Sequence, residues 1–257
     1  MFKQEELLKI KQMISTRKFK IGAFAAMFIM FVCVSCEDDT VEPEPINETG
    51  VVVDIENNSY KTVKIGDTWW MAENLKVTKF KNGEAINQSQ SISNWNSGLA
   101  AYCLYENNQT APGFLYNWEA VNSSNGIAPE GWHVATEQDW QNLERDLGMS
   151  NENIDKLNWR EDGSCGEKMK IKAPEGWSKF ESIWANNSSG FTALAGGCRL
   201  NNGVWSYPGL SLTGFWWSST ENNENTAWFR QLDYKKAGVF RFYVDKNYGM
   251  SIRCVKD

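Results

Sequence analysis

The chain has 257 residues, with 26 Lys and Arg against 32 Asp and Glu and a formal net charge of −6. That acidic balance, with no basic cluster beyond the first 35 residues, excludes a phosphate-binding surface and so a nucleic-acid partner. The length fits one domain of about 200 residues plus short extra segments.

In chain order, the first informative stretch is residues 13–36, MISTRKFKIGAFAAMFIMFVCVSC. Arg17, Lys18 and Lys20 precede a short apolar run, Ile21 to Val34, and small Ser35 stands before Cys36. A basic segment, a short apolar segment and a small residue at the cut predict a bacterial export signal over residues 1–35. The apolar run is shorter than the about 20 residues a bilayer-spanning helix needs. With a cysteine at the cut it resembles a lipoprotein signal, which implies Cys36 as the lipid-attachment site. Cys33 stands where such signals usually carry Leu. Residues 1–12 include Glu5 and Glu6, so Met13 reads as the natural start. Without residues 1–35 the net charge becomes about −10.

Residues 36–50 read as an acidic tether, because two prolines and several acids leave too little apolar surface to fold. Acids directly after the lipidated cysteine resemble a surface-export signal. They imply an outer-membrane address facing the exterior, with the membrane as partner through the lipid. The domain is expected over 51–257. VVVDI and YKTVKI form a hairpin around Glu56–Ser59, and Gly66-Asp67 turns into a Trp69-Trp70 strand. Residues 81–101, rich in Asn, Ser, Gln and Gly, form a long loop.

Thr136 with Asp139 three residues on predicts a capped helix, with Trp140, Leu143 and Leu147 on one face and Gly148 as its stop. Shorter helices are expected over 113–121 and 151–158. From residue 190 onward FTALAGGCRL, FWWSST, AWFRQLDY, VFRFYVD and MSIRCVKD are strand-like runs separated by good turn chemistry. Strands, then helices, then a meander of strands make an α+β fold of mostly antiparallel short strands with two or three helices.

Thirteen tryptophans point first to aromatic core packing. Cys103, Cys165, Cys198 and Cys254 are an even set in an exported chain, so two disulfides are expected, in any of three connectivities. No CxxC or CxxH pair supports zinc. His133, the lone His, sits just before the helix cap and reads as structural; no nucleophile elbow accompanies it. In the 221–226 loop, Glu221, Asn222, Asn223 and Glu224 gather oxygen ligands. An ordinary solvated hairpin loop is the first reading, with Glu221, Asn223 and Glu224 a weak calcium candidate and no other cofactor expected. Trp205 and Tyr207 lie in a loop-like segment; core burial is the first reading, and they are also candidates to stack on a ligand.

Eight ordered motifs, from YKTVKIGDTWWMAENLKV at 60–77 through GFLYNWEAV, PEGWHVATEQDW and WWSSTE to SIRCVKD at 251–257, resemble the Fibrobacter succinogenes major paralogous domain. More distantly, GWHVATE at 131–137 and IRCV at 252–255 are similar to C-type-lectin-like folds, including the formylglycine-generating-enzyme type. The first resemblance implies a secreted or lipid-anchored bacterial protein, and the second a C-type-lectin-like architecture. Ala135 replaces the Pro usual before the capping Thr. Because Cys103 and Cys254 sit inside family motifs, the resemblance implies the pairs Cys103–Cys254 and Cys165–Cys198. The expected role is a non-enzymatic surface module that binds glycan or protein. The alternatives are a structural or adhesive component and, last, an enzyme.

Overall fold

The computed structural model describes residues 47–257 except 109, 173, 181–184 and 207–209. The signal, Cys36, residues 36–46 of the tether and Tyr207 therefore lie outside the described residues. Strand β1 (Thr49–Val53) pairs antiparallel with β2 (Ser59–Ile65), Val51 opposite Lys61. Asp54 organises their turn, its carboxylate accepting from the backbone N–H of Glu56 and Asn58 at 2.9 Å each. Next come β3 (Thr68–Met71) and, far later, β7 (Trp132–Val134) and β12 (Cys254–Lys256). They complete a five-stranded sheet ordered β1-β2-β3-β12-β7, so the chain's last strand is inserted between earlier ones.

A second, antiparallel sheet is ordered β8-β11-β10-β9, from Asn158–Arg160, Val239–Asp245, Thr226–Asp233 and Thr213–Glu221 respectively. A small third sheet joins β4 (Asn87–Gln88), β5 (Ala101–Cys103) and β6 (Leu115–Tyr116), its β4–β5 pair parallel. The helices are α1 (Ile92–Trp95), α2 (Trp118–Val121), α3 (Glu137–Asp146) and α4 (Cys165–Met169). The fold is α+β, mostly antiparallel, with few helices.

Helix α3 has the expected capping box: Thr136 accepts from Asp139 N, and Asp139 accepts from Thr136 N at 2.8 Å. Gly148 follows at φ 101°. Two short helices differ from expectation. In 113–121 only Trp118–Val121 is helical, because Tyr116 is taken into a bridge with Met250. In 151–158 turns replace the helix. Asp162 accepts there from Ser150 N at 2.7 Å and Asn153 Nδ2 at 3.2 Å, and Asn158 opens β8 at φ 69°. FTALAGGCRL forms only isolated bridges, since Thr192 at φ 56° and Gly197 at φ 62° break the ladder.

The core is aromatic. Trp70, Trp95, Trp140, Trp177, Trp216 and Trp217 are fully buried. The indole N–H groups of Trp95, Trp140, Trp177, Trp216 and Trp217 find acceptors, such as Asn247 O for Trp95 and Asn74 Oδ1 for Trp216, at 2.8 and 2.9 Å. Burying the rings therefore leaves no stranded donors at these positions.

Across α3 runs a buried ionic chain. Glu137 and Glu144 lie two turns apart on one helix face. Glu144 takes Arg160 Nη2 and Arg230 Nε, each at 2.7 Å. Glu137 takes Arg230 at 2.8 and 2.9 Å and Arg241 Nε at 2.6 Å. Arg230 and Arg241 are directly opposite across β10 and β11, a like-charge pair that would repel without the bridging carboxylate. Burial works against Glu137 ionising, but Arg230 and Arg241 outweigh it and hold the carboxyl below its ordinary range.

The expected disulfides are not present. Cys103, Cys165, Cys198 and Cys254 are free, buried thiols. They fall into three packing groups: Cys103 in the cluster of Trp95, Cys165 in that of Trp140, and Cys198 and Cys254 together in the largest. Neither pair implied by the resemblance, Cys103–Cys254 or Cys165–Cys198, shares a cluster, so each thiol packs as a small apolar group. Burial pushes the thiols up, Cys165 to about 11 and Cys103 and Cys198 to about 12.

Two predictions follow from this packing. Glu144→Ala leaves buried Arg160 without a carboxylate and Arg230 with Glu137 alone, and is expected to cost about 3–5 kcal/mol in urea unfolding; a loss under 1 kcal/mol would contradict the bridging role. The four domain thiols are expected to resist labelling in the native protein and react once it is denatured. A disulfide found among them by non-reducing peptide mapping would contradict the structure.

Candidate functional site

The 221–226 loop joins β9 to β10, and its polar groups are largely engaged within the loop. Asn223 Oδ1 accepts from Asn225 N at 2.9 Å and Thr226 N at 3.0 Å, and Asn222 Nδ2 donates to Thr226 Oγ1 at 3.0 Å. Lys246 Nζ sits among its oxygens, 2.7 Å from Glu221 Oε2 and 2.8 Å from the Glu224 carbonyl, with the Trp118 ring 4.3 Å away. The protein thus places its own cation where calcium was considered. Among the described residues no group of three or more His, Cys, Asp or Glu is placed to hold a metal ion. Trp205 is half-buried and packs on Tyr105, ring centroids 4.9 Å apart. Neither Trp205 nor the 221–224 residues line the two clefts described next.

The larger cleft, about 530 Å³, is of small-ligand size and lies between β1–β2 and the 187–192 turn. Strand pairing puts Thr49, Lys61, Val63 and Ala72 on the same face of the sheet, and that face is the cleft floor. The opposite wall is strained. Asn187 sits at φ 53° and Gly190 at φ 71°, and β-branched Thr192 is at φ 56°, a region such residues avoid. Gly190 is required there, since a Cβ would come within 2.9 Å of Val63 Cγ2.

Three anchors hold that wall. Asn47 Nδ2 donates to Ser189 O at 2.8 Å, tying the start of the first strand to the turn. Asn187 accepts from Thr192 N at 2.8 Å and donates to Thr192 Oγ1 at 3.1 Å. Fully buried Arg253 donates to Phe191 O at 2.7 Å, Thr192 O at 3.0 Å, Met71 O at 2.8 Å and Asn74 Oδ1 at 2.8 Å. Strain held this firmly by surrounding contacts is characteristic of preorganised sites. Sequence reasoning missed this cleft because its walls are more than 100 residues apart. The available signals were the NNSSG turn at 186–190 and the Arg of SIRC.

A smaller cleft, about 240 Å³, lies beside His133, Trp132, Lys81 and Ser219. His133 is clamped by two carboxylates, Nδ1 2.7 Å from Asp257 Oδ1 and Nε2 3.1 Å from Asp139 Oδ2. Its pKa is raised, first by the Asp139 hydrogen bond, against an opposing burial effect. With both ring nitrogens engaged, the imidazole pins the C-terminal Asp257 to the helix cap.

The Fibrobacter succinogenes major domain matches residues 63–256. The chain belongs to this family. No curated protein and no solved structure matches it. The family match takes in the 187–192 wall, Arg253, His133 and the floor from Val63 onward, while Asn47, Thr49 and Lys61 precede it.

Because the His133 pKa is raised, its contacts contribute stability in full below its ordinary 6.5, and that stability is lost as pH rises through the folded-state value. Wild type is therefore expected to exceed His133→Gln in Tm at pH 5.5 by more than at pH 8.5. A difference independent of pH would show that the clamp does not titrate.

Proposed function

We propose that this protein is a non-enzymatic, lipid-anchored module exposed on the outer membrane, with a C-type-lectin-like architecture, that binds glycan in the cleft between β1–β2 and the 187–192 turn. Cys36 carries the lipid in this reading, and the acidic residues after it direct the domain outward. The observation that carries the proposal is the strained, multiply anchored cleft wall facing a floor of Val63 and Ala72. Hydroxyls of Thr49 and Ser188 at its rim make no hydrogen bond with any described residue, so they are available to a hydroxyl-rich ligand. What favours binding over catalysis is the engagement of both His133 nitrogens and the burial of the four domain thiols.

A second reading, protein adhesion, draws on β1. Among the described residues it is an edge strand, and its Val51 and Val53 are 66% and 50% exposed, which suits strand addition.

Glycan-array screening of the purified protein, with and without chelator, separates these. Saturable binding to a subset of glycans, unchanged by chelator because Lys246 occupies the 221–224 oxygens, is the expected result. Binding to no glycan would overturn the glycan reading and leave adhesion.

A further inference from the structure

The charge of the larger cleft narrows its ligand class. Lys61 is the sole charged residue among its described lining residues. Its ammonium makes no hydrogen bond or ion pair with any described residue, whereas Lys64, Lys156, Lys236 and Lys246 each have a carboxylate within 3.4 Å. A protein of net charge −6 thus keeps at its ligand-sized cleft a lysine ammonium with no ion pair to a described residue, Glu73 taking only the Lys61 backbone N–H at 2.8 Å. The amide side chains of Asn47 and Asn187 are spent on holding the wall. Recognition is left to Lys61 and to the Thr49 and Ser188 hydroxyls.

We propose that the cleft takes an acidic saccharide, its carboxylate paired with Lys61 and its hydroxyls on Thr49 and Ser188. This rests on the glycan reading above and adds the sign of the ligand's charge. A neutral sugar satisfies the hydroxyls and leaves the ammonium to water; a basic one is repelled. The strained wall matters because a preorganised cleft loses little entropy on binding a small ligand.

The test is calorimetric titration of the full protein with matched sugars: glucuronate against glucose, and galacturonate against galactose. Lys61 is exposed, so Lys61→Gln is expected to keep the wild-type Tm and circular dichroism. An exposed ion pair is modest, so the acidic sugar is expected to bind roughly two- to five-fold tighter than its neutral counterpart at low salt. That preference should vanish in Lys61→Gln and shrink in high salt. Equal affinity for acidic and neutral sugars would overturn the acidic assignment and leave the glycan reading standing. An acidic preference that survives Lys61→Gln would move the charge recognition elsewhere and overturn this site. Binding of none of the four would count against both.

Discussion

The alternating chain Arg160–Glu144–Arg230–Glu137–Arg241 is the interaction on which the two large layers depend. It fixes α3 to the second sheet, while the same helix's Trp140 packs on Trp70 of the five-stranded sheet at 5.2 Å between centroids. Buried ion pairs seldom add net stability over apolar packing, because desolvation offsets the attraction. What this one provides is register. Two carboxylates spaced seven residues apart fit the three guanidinium groups offered by β8, β10 and β11 in one alignment, and a slipped sheet would leave buried charges unpaired. Arg160 Nε finds no partner among the described residues, so the chain has little slack.

Arg253 does for the larger cleft what Arg230 does for the helix. It sits next to β12, the strand inserted in the middle of the five-stranded sheet, and reaches carbonyls of both Met71 and the 191–192 wall. Phe191 stacks beneath its guanidinium at 4.4 Å and packs against Trp70 and Trp140. The strained turn is therefore coupled to the aromatic core, which explains how Thr192 can hold a left-handed backbone. In the proposed reading, recognition sits on a turn that draws its rigidity from the core behind it.

How much of this the sequence disclosed follows the range of the forces involved. Local signals read well: the Thr136–Asp139 box, the Gly148 stop and the strands flanking the 221–226 hairpin need only neighbouring residues. The helix expected at 151–158 failed because Asp162, outside the segment, captures Ser150 and Asn153. The cysteines misled because an even count says nothing of which core cluster each thiol enters. Arg253 and Arg230 were visible only as residues within strand-like runs. The carboxylates of Arg230 and the acceptors of Arg253 lie 61 and more residues away, a distance at which no periodicity points. The oxygen-rich 221–224 loop had the composition of a cation site, and Lys246, brought close by the β10–β11 pairing, fills it instead.

The central claim is that ligand binding occurs between the first hairpin and the 187–192 turn. Backbone amide chemical-shift mapping during saccharide titration tests it most directly. The account predicts perturbations concentrated at Thr49–Gly50, Lys61–Val63 and Asn187–Thr192, with Trp205 and the 221–226 loop unmoved. Perturbations confined to that loop and Trp205, with the 187–192 turn silent, would contradict it.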